Sequence, residues 1–423
     1  MDSEIVLSDV ITDIAAGPFG SNLKVSCFVP SGFPIIDGAN LKGFKVTDNL
    51  TKFVTEEKAR SLSRSIAKRG DVVVTISGTL GQIAYIPEDS AYEEYLCSQR
   101  QFKVTFDTSK VYVPYLVFYF HTREGRGKLL AFANQTGVPA LAQPTKNFKR
   151  IRLELPDIEQ QRKIALIAEL LTKKIEANAN LNGYLEEQCE AVANHEKGLA
   201  VELSSLCDLV KEKADYNEAD FDTYVSTESL LPGKKGRQAP SSLPQTGKVT
   251  VYKAGDILVS NIRPYFKKIW YADRTGTCSG DVLVFRAKQP EQSGYLYSCM
   301  RSDAFFDYVM KGAKGTKMPR GDKKQMLTYK VASNPSGATV DFIESALSQA
   351  SSSSKENHRL AALRDNLLPK LMSGEIDVSK VDLKQLNSHL AKSLRQLGRH
   401  VSPHKNGAAR ASANCPAPLA IAS

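Results

Sequence analysis

Apolar residues recur at steps of three and four after Pro156, which is the spacing of one face of an α-helix. Asp157 can cap the start of this helix, and Gln160 can complete a capping box. Neither Gly nor Pro occurs over 158–182. The pattern predicts a helix from about 158 to 198, roughly 60 Å long at ~1.5 Å per residue, which needs a partner helix along its side. The apolar positions are Ile164, Ala168, Leu171, Ile175, Leu181, Leu185, Cys189 and Val192.

The sequence predicts the partner helix near the end of the chain. An apolar stripe starts over 340–344 and resumes over 358–372. The four serines at 351–354 are uncommon in such a stripe, so we expect the helix to be bent or frayed there. Two amphipathic helices, each following a globular region, can pair as an antiparallel coiled coil.

The regions before the two helices have the pattern of mixed strands and helices. Residues 71–76 form a β-branched run between Gly70 and Gly78, which favours a strand. The first region predicts strands at 71–76, 82–86 and 101–106 and helices at 113–121 and 126–133, and the second predicts strands at 256–260, 268–272 and 281–286 and helices within 294–310.

These two regions repeat short motifs in the same order, at offsets of 179–185 residues. Solenoid repeats have periods of about 20–50 residues, so a repeat this long indicates a duplicated domain. Two similar domains suggest one task performed at two similar sites in a row, and DNA offers such sites. Duplication without functional symmetry is the alternative. The motifs Gly70-Asp71, Cys97-Ser98, Tyr115-Leu116 and Pro156 return as Gly255-Asp256, Cys278-Ser279, Tyr295-Leu296 and Pro335.

The predicted fold class is α+β, with two similar α/β domains joined by two long helices that form an antiparallel coiled coil. The first domain is predicted over 1–155 and the second over 201–337, with a central helical spacer at 156–200 and a distal helical spacer at 338–378. The tail at 379–423 is rich in Ala, Ser, Pro and Asn towards its end, and we expect it to be largely disordered.

The net charge of +10 is unevenly distributed. The balance of Lys and Arg over Asp and Glu is +3 for 1–155, +6 for 201–337 and +6 for 380–423, but −3 for 156–200 and −2 for 338–379. Basic domains suit a polyanion, and acidic connectors suit contacts with other proteins. A solvated basic surface without a ligand is the other interpretation.

Composition also bears on the compartment. No apolar run approaches the ~18–20 residues that a membrane span needs, and the first residues lack the pattern of a secretory signal. The seven cysteines include no C-x-x-C pair, so we expect free thiols in a reducing, cytoplasmic environment. His400 and His404 have a ligand-like spacing but no cysteine pair beside them, so no metal site is predicted.

Motifs of catalysis are weak along the chain. Residues 312–317 contain glycine and lysine without the spacing of a P-loop. Residues 261–265 (NIRPY) are only loosely similar to the Asn-Pro-Pro-aromatic motif of adenine methyltransferases, because Arg263 stands where the first proline should be. We therefore expect no catalytic residue and no cofactor on this chain.

Four segments resemble a known family. Residues 155–164 (LPDIEQQRKI) closely resemble the central region of the specificity subunit of type I restriction–modification enzymes, and 360–376 (LAALRDNLLPKLMSGEI) resembles its distal region. Residues 17–22 (GPFGSN), and 68–71 (KRGD) with 77–81 (SGTLG), resemble motifs of its target recognition domains. The resemblance covers roughly 1–378.

The resemblance implies a function in phage defence inside a prokaryotic cell. In that family each target recognition domain reads one half of an interrupted DNA sequence, and the paired helices set the gap. Methyltransferase subunits dock on the helices, and a motor–nuclease subunit joins them. The specificity subunit is not an enzyme; S-adenosylmethionine, ATP and Mg²⁺ are expected only on the partner subunits. A coiled-coil adaptor between proteins, without sequence-specific DNA binding, is the alternative function.

Two loops in each domain are the candidate DNA contacts. Glycine lets the backbone come close, Lys and Arg neutralise phosphates, and amide or guanidinium groups read base edges. A plain surface role is the alternative for each single residue. The candidates in the first domain are Ser77, Thr79, Gln82, Gln135, Thr136, Gln143, Lys146 and Lys149, and those in the second are Asn261, Arg263, Tyr265, Lys267, Lys268, Lys314, Thr316, Lys317, Arg320 and Lys323.

Overall fold

The structure, a computed structural model, describes residues 3–134 and 139–380. The candidates Gln135 and Thr136 and almost all of the predicted tail lie outside the described residues. The described residues divide into two compact units: the first contains those within 3–176 and 356–380, and the second contains 177–355. Each unit therefore combines one predicted domain with a part of both long helices.

The first unit is built from strands and short helices that precede the first long helix. Its sharp turns follow glycines, as at Gly70, where φ is +84°. Its strands are β1 (Ser3–Val6), β2 (Ile11–Ala16), β3 (Phe33–Ile36), β4 (Phe53–Val54), β5 (Ile66–Lys68), β6 (Val72–Thr75), β7 (Ile83–Tyr85), β8 (Glu94–Cys97), β9 (Gln101–Phe106), β10 (Ala133–Asn134), β11 (Ala140–Leu141) and β12 (Arg152–Leu155), and its short helices are α1 (Glu56–Arg60), α2 (Val113–His121), α3 (Arg123–Leu130) and α4 (Pro144–Lys149).

Two sheets form the body of the first unit. One is antiparallel with the order β2-β9-β6-β7, and the other has the order β4-β3-β8-β5, in which β3 and β8 are parallel. All four residues of β6 are buried, which explains its β-branched sequence. Val72 and Val74 belong to the core cluster that α2 covers, and Val73 belongs to a second cluster with residues of β3 and β8. The sheet around β6 is therefore buried on both faces.

The second unit repeats this plan. The antiparallel sheet β14-β20-β17-β18 matches β2-β9-β6-β7 in order, and a second sheet has the order β15-β16-β19. Its strands are β13 (Ala200–Glu202), β14 (Cys207–Leu209), β15 (Lys213–Asp215), β16 (Lys248–Tyr252), β17 (Ile257–Ser260), β18 (Ile269–Tyr271), β19 (Gly276–Cys278), β20 (Val282–Ala287) and β21 (Lys330–Ala332), and its short helices are α6 (Leu203–Leu206), α7 (Ser293–Met300), α8 (Asp303–Lys311) and α9 (Lys323–Leu327).

The two long helices are α5 (Ile158–His195) and α10 (Gly337–Met372). Asp157 caps α5, since its Oδ1 accepts a hydrogen bond of 2.9 Å from the Gln160 amide. In the first unit, Ile164 and Leu171 of α5 share a buried cluster with Leu368 and Leu371 of α10 and with α2. In the second unit, the α5 residues Cys189 and Ala193 share one with the α10 residues Ile343 and Leu347, and with α7.

Hydrogen bonds between the helices give the direction of the pairing in each unit. In the first unit, Asn357 donates to the Ile175 carbonyl at 3.1 Å. In the second, Asn182 donates to the Ala350 carbonyl and to Ser354 Oγ, both at 3.1 Å. Within each unit, these bonds and the shared clusters pair lower positions of α5 with higher positions of α10, so the predicted antiparallel pairing is confirmed, and with it the predicted fold class.

The fraying expected in α10 at its serine run is wrong. The helix continues through 351–354, and Ser353 is buried. Small side chains allow the two helix backbones to approach, and Ser354 receives a hydrogen bond from Asn182. The serine run is therefore part of the helix contact.

Candidate nucleic-acid interface

The turn between β6 and β7 in the first unit is joined to the loop before β11. Gly78 donates its backbone N–H to the Pro139 carbonyl at 3.0 Å, and Leu141 donates to the Ile76 carbonyl at 2.8 Å. Gly78 and Gly81 have φ values of +98° and +84°, which suit glycine. These bonds hold the candidate Ser77, which is half-buried, and the candidate Thr79, which is exposed.

The equivalent turn in the second unit, between β17 and β18, is joined to a late loop in the same way. Arg263 donates its backbone N–H to the Pro319 carbonyl at 2.8 Å, and Gly321 donates to the Asn261 carbonyl at 3.2 Å. Lys314 and Arg320 exchange two backbone hydrogen bonds of 2.9 Å, which close the late loop. Both units therefore bring together the two loops that the sequence singles out.

Gln82 and Lys268 occupy equivalent positions and serve the same local purpose. Gln82 accepts from Thr75 Oγ1 and donates to the Gly38 carbonyl, both at 3.0 Å. Lys268 donates to the Thr227 carbonyl at 2.6 Å, and partial burial lowers the pKa of its ammonium group. Each side chain thus ties its turn to a neighbouring loop, while its contact with DNA stays a prediction.

The candidates on α4 lie on the outside of the first unit. Phe148 is buried against Phe102 and Phe120, with ring centroids 5.3 and 5.5 Å away, and it anchors the helix. Lys146 and Lys149 are exposed beside it. Gln143, immediately before the helix, is also exposed and has a left-handed backbone with φ of +41°.

The candidates of the second unit differ in whether their charge is already compensated. Arg320 lies 3.2 Å from Asp281, and Lys267 lies 3.0 Å from Asp303. Lys317 and Lys323 are exposed and form no ion pair with any described residue. These last two are the cations most available to a phosphate. Thr316 is exposed in the same late loop, and Tyr265, 47% exposed, lies beside Phe266 with ring centroids 4.6 Å apart.

A family model decides the relationship of this fold to known proteins. Residues 30–187, which contain the turn between β6 and β7 and the loop before β11, match the model described as the type I restriction modification DNA specificity domain. This stretch belongs to the type I specificity family. The resemblance expected from the sequence is therefore confirmed over 30–187, and the second unit repeats the sheet order of the first.

Solved structures of type I systems are similar to this chain at low identity. The S subunit from M. genitalium is 14% identical over 87% of this chain and 95% of its own, with a TM-score of 0.47. The HsdS subunit from Thermoanaerobacter tengcongensis is 15% identical over 88% and 97%, with a TM-score of 0.36. A structure titled for the assembly and conformational transition of the type I R-M system is 15% identical over 88% and 98%, with a TM-score of 0.40. No curated protein matches the chain.

The sequence analysis did not identify two arginines that lie beside the turn between β6 and β7. A Cβ atom on Gly81 would lie 3.2 Å from Arg126 Cζ, so this guanidinium group packs over the turn. A Cβ atom on Gly78 would lie 3.9 Å from Arg100 Nη1. Both arginines are exposed. They come from α3 and from the turn between β8 and β9, so no local pattern relates them to the β6–β7 turn.

A third basic loop in the second unit was also missed. Gly233 donates its N–H to the Phe266 carbonyl at 2.8 Å, and Lys234 donates to the Lys267 carbonyl at 2.9 Å. These bonds place 232–237 (PGKKGR) beside the β17–β18 turn, with Lys235 exposed. Its glycine and lysine content is the same composition that predicts DNA contacts for the other loops, so the sequence alone could have identified it.

Within 3–134 and 139–380, no helix has both the length and the hydropathy of a membrane-spanning segment. His, Cys, Asp and Glu side chains in the same ranges form no group of three that could hold a metal ion. Phe19, at the tip of the GPFGSN loop, is 83% exposed, and the loop is fastened by a 2.7 Å hydrogen bond from Gly17 N–H to the Gln101 carbonyl.

Proposed function

We propose that this chain is the non-catalytic DNA-recognition subunit of a type I restriction–modification complex. Each globular domain reads one half of a bipartite sequence in double-stranded DNA. The readers are the β6–β7 turn with the 139–149 segment in the first unit, and the β17–β18 turn with the 314–323 segment in the second.

One observation carries the proposal: equivalent backbone hydrogen bonds join the same two loops in both units, and the first pair lies in the matched specificity domain. A loop pair fixed by its backbone can present Gln, Asn, Arg and Lys side chains without losing its shape when they change. Exposed Lys146, Lys149, Lys317 and Lys323 supply positive charge for phosphates, which favours DNA over a neutral partner.

The long helices support the second part of the proposal. α5 runs without interruption from 158 to 195, beginning in the first unit and ending in the second. We propose that α5 and α10 set the distance between the two half-sites and that their acidic surfaces dock methyltransferase subunits. A motor–nuclease subunit joins that complex. S-adenosylmethionine, ATP and Mg²⁺ are then used by the partner subunits, in the cytoplasm of a prokaryotic cell.

The experiment is a DNA binding assay on the full chain assembled with the methyltransferase subunits from the same host. Binding should prefer one bipartite sequence and weaken steeply with salt, because each neutralised phosphate releases counterions. Binding without sequence preference would favour the coiled-coil adaptor instead. Methyl transfer by the chain alone would show that it is an enzyme.

A further inference from the structure

A chain of ion pairs connects the long helix α5 to the β17–β18 turn of the second unit. Glu190 of α5 lies 2.8 Å from Arg301 Nη1 and 3.1 Å from Lys234 Nζ. Lys234 Nζ also lies 2.7 Å from Asp303 Oδ1, and the same oxygen is 3.0 Å from Lys267 Nζ. One carboxylate of α8 thus bridges two lysines on two different loops.

Burial separates the Glu190 part of this chain of contacts from an ordinary surface ion pair, whereas the Asp303 side chain is 63% exposed. The side chains of Arg301, Lys234 and Glu190 are 6%, 14% and 18% exposed. Exposed pairs contribute little to stability because water and salt screen them, whereas shielded pairs interact more strongly. Glu186 completes the group, since its carboxylate accepts from Tyr297 at 3.2 Å and lies 3.4 Å from Arg301. The group thus contains three carboxylates and three cations: Glu186, Glu190, Asp303, Lys234, Lys267 and Arg301.

The backbone at the two lysines needs such support. Lys234 has φ of +62° and Lys267 has φ of +51°, in the left-handed region that is strained for a non-glycine residue. The hydrogen bonds from Gly233 to Phe266 and from Lys234 to Lys267 join the two strained segments. The ion pairs of Lys234 and Lys267 with Asp303 involve the same two residues. Side-chain contacts and backbone hydrogen bonds therefore stabilise the same arrangement of the two loops.

We propose that Lys234 is a positioning residue for DNA reading by the second domain. Its ammonium group fastens the joined loops to α8 through Asp303 and to α5 through Glu190, so that Arg263 and Tyr265 meet DNA in one orientation. This inference rests on the proposed function of the β17–β18 turn. It also assigns Lys267 to the support of that turn, because Asp303 already compensates its charge.

The test uses two substitutions with matched controls, in the full chain assembled with methyltransferase subunits. Lys234→Met removes the ammonium group at the same backbone strain, and Lys235→Met removes the charge of the next lysine, which is exposed and forms no ion pair with a described residue. Asp303→Asn cuts both lysine pairs at an exposed carboxylate, so the fold survives it. Asp307→Asn is its control, one turn later on α8 and also exposed.

The quantity measured is the ratio of affinities for the intact target and for a target with its second half-site scrambled. Lys234→Met should lower this ratio about tenfold. Asp303→Asn should lower it by a smaller factor, because that side chain is 63% exposed and its pairs are screened. Both should leave the corresponding ratio for the first half-site unchanged, and both should speed hydrogen exchange of the backbone amides over 265–268. Lys235→Met and Asp307→Asn should leave both ratios unchanged, and Lys234→Arg should restore most of the loss.

The outcomes separate this inference from the function on which it rests. The positioning role would be overturned, while DNA recognition stands, if Lys234→Met and Asp303→Asn left the affinity ratio for the second half-site unchanged. An equal fall in the ratios for the first and second half-sites would also overturn it. A wild-type complex without sequence preference would overturn the proposed function and this inference together. A fall in the unfolding temperature without a change in the ratio would show a purely structural ion pair, and would also overturn the inference.

Discussion

The two units hold the same turn by different chemistry. In the first unit, glycines at 78 and 81 supply the left-handed backbone. In the second unit, Arg263 and Lys267 adopt it, and ion pairs to Asp303 support Lys267. A duplicated scaffold has therefore kept its backbone hydrogen bonds while changing the residues that fix the turn.

The link from each domain to the long helices differs in a similar way. In the first unit, Arg364 of α10 lies 4.8 Å from the Phe44 ring centroid, in the loop after β3. In the second, Lys234 pairs with Glu190 of α5. The two loops hold corresponding places in the repeat, and each contacts the helix that does not directly follow its own domain. The shared fold brings the same loop to a long helix in both units, and the residues at the contact determine the strength of the interaction.

Exchanging one domain should have the largest effect. Replacing 1–155 by the domain of another specificity chain should change one half of the recognised sequence and leave the other half intact, because each domain has its own sheet and its own loop pair. The measurement is the sequence preference of the assembled complex. A change in both halves would show that the two domains do not read DNA independently.

Shortening the helices should change the gap between the half-sites. The pair of Asn182 with Ala350 places 178–181 opposite 351–354. Deleting both segments removes about one turn, or ~5.4 Å, which corresponds to about one to two base pairs at ~3.4 Å each. Deleting only one segment is the control, and it should disrupt helix pairing. An unchanged gap after the double deletion would contradict the spacing role.

The Gly-Asp motif tests whether equivalent residues contribute equally. Asp256 is buried and accepts two hydrogen bonds from Arg286, at 2.8 and 2.6 Å. Asp71 is equally buried, and both carboxylates accept from the amide three residues earlier, but Asp71 has Thr105 in place of the arginine, and burial raises the pKa of its carboxyl group. Asp256→Asn should lower the unfolding free energy by about 2 kcal/mol, a value reduced because Arg286 is one-third exposed.

Asp71→Asn should lower the unfolding free energy by less than about 1 kcal/mol, because its partners are neutral and the change removes a buried charge. Denaturant unfolding of the two variants compares them directly. Equal losses would mean that the motif serves one structural purpose in both domains.

A substitution at Gly81 tests whether the β6–β7 turn of the first unit needs glycine for its left-handed backbone. Gly81→Ala should lower the unfolding free energy by about 1 kcal/mol, because φ is +84° and the new methyl group meets Arg126. Gly43→Ala is the control, since a Cβ there meets no atom within 4 Å. Equal unfolding midpoints for the two variants would show that the turn tolerates a side chain.

The smallest expected effect concerns pH. Burial lowers the pKa of His121, which contacts the Ile83 carbonyl, so the unfolded chain binds a proton more readily than the folded one. Its contribution to stability should therefore fall as pH drops below about 6.5. The predicted second domain, 201–337, contains no histidine. Hydrogen exchange at pH 7.5 and about 5.5 should show loosening around His121 that His121→Asn abolishes; loosening that persists in this variant would contradict this cause.

The elements with strong local patterns could be predicted from the sequence. The β-branched run at β6 forms a buried strand, and the apolar stripe at 158–198 forms α5, which ends at His195. The order of the repeated motifs also predicts that the two domains share a plan. The structure agrees, since the sheet that contains β6 and the sheet that contains β17 have matching strand orders. Local spacing and motif order carry this information.

The contacts that assemble the candidate interface could not be predicted in the same way. Gly78 and Pro139 are far apart in the chain, and their hydrogen bond depends on the path of everything between them. The bridge from Glu190 through Lys234 to Asp303 joins three separate elements. The chemistry of Gln82 predicts a contact with DNA, but both ends of its amide group form hydrogen bonds within the first unit.

The most direct test is to sequence the methylated DNA of cells that carry this chain with its methyltransferase partner. The account predicts methylation within one bipartite sequence, with two short specified parts separated by a gap of fixed length. Methylation of a continuous sequence, or of a pair of parts whose separation varies, would contradict two domains reading DNA at a distance fixed by paired helices.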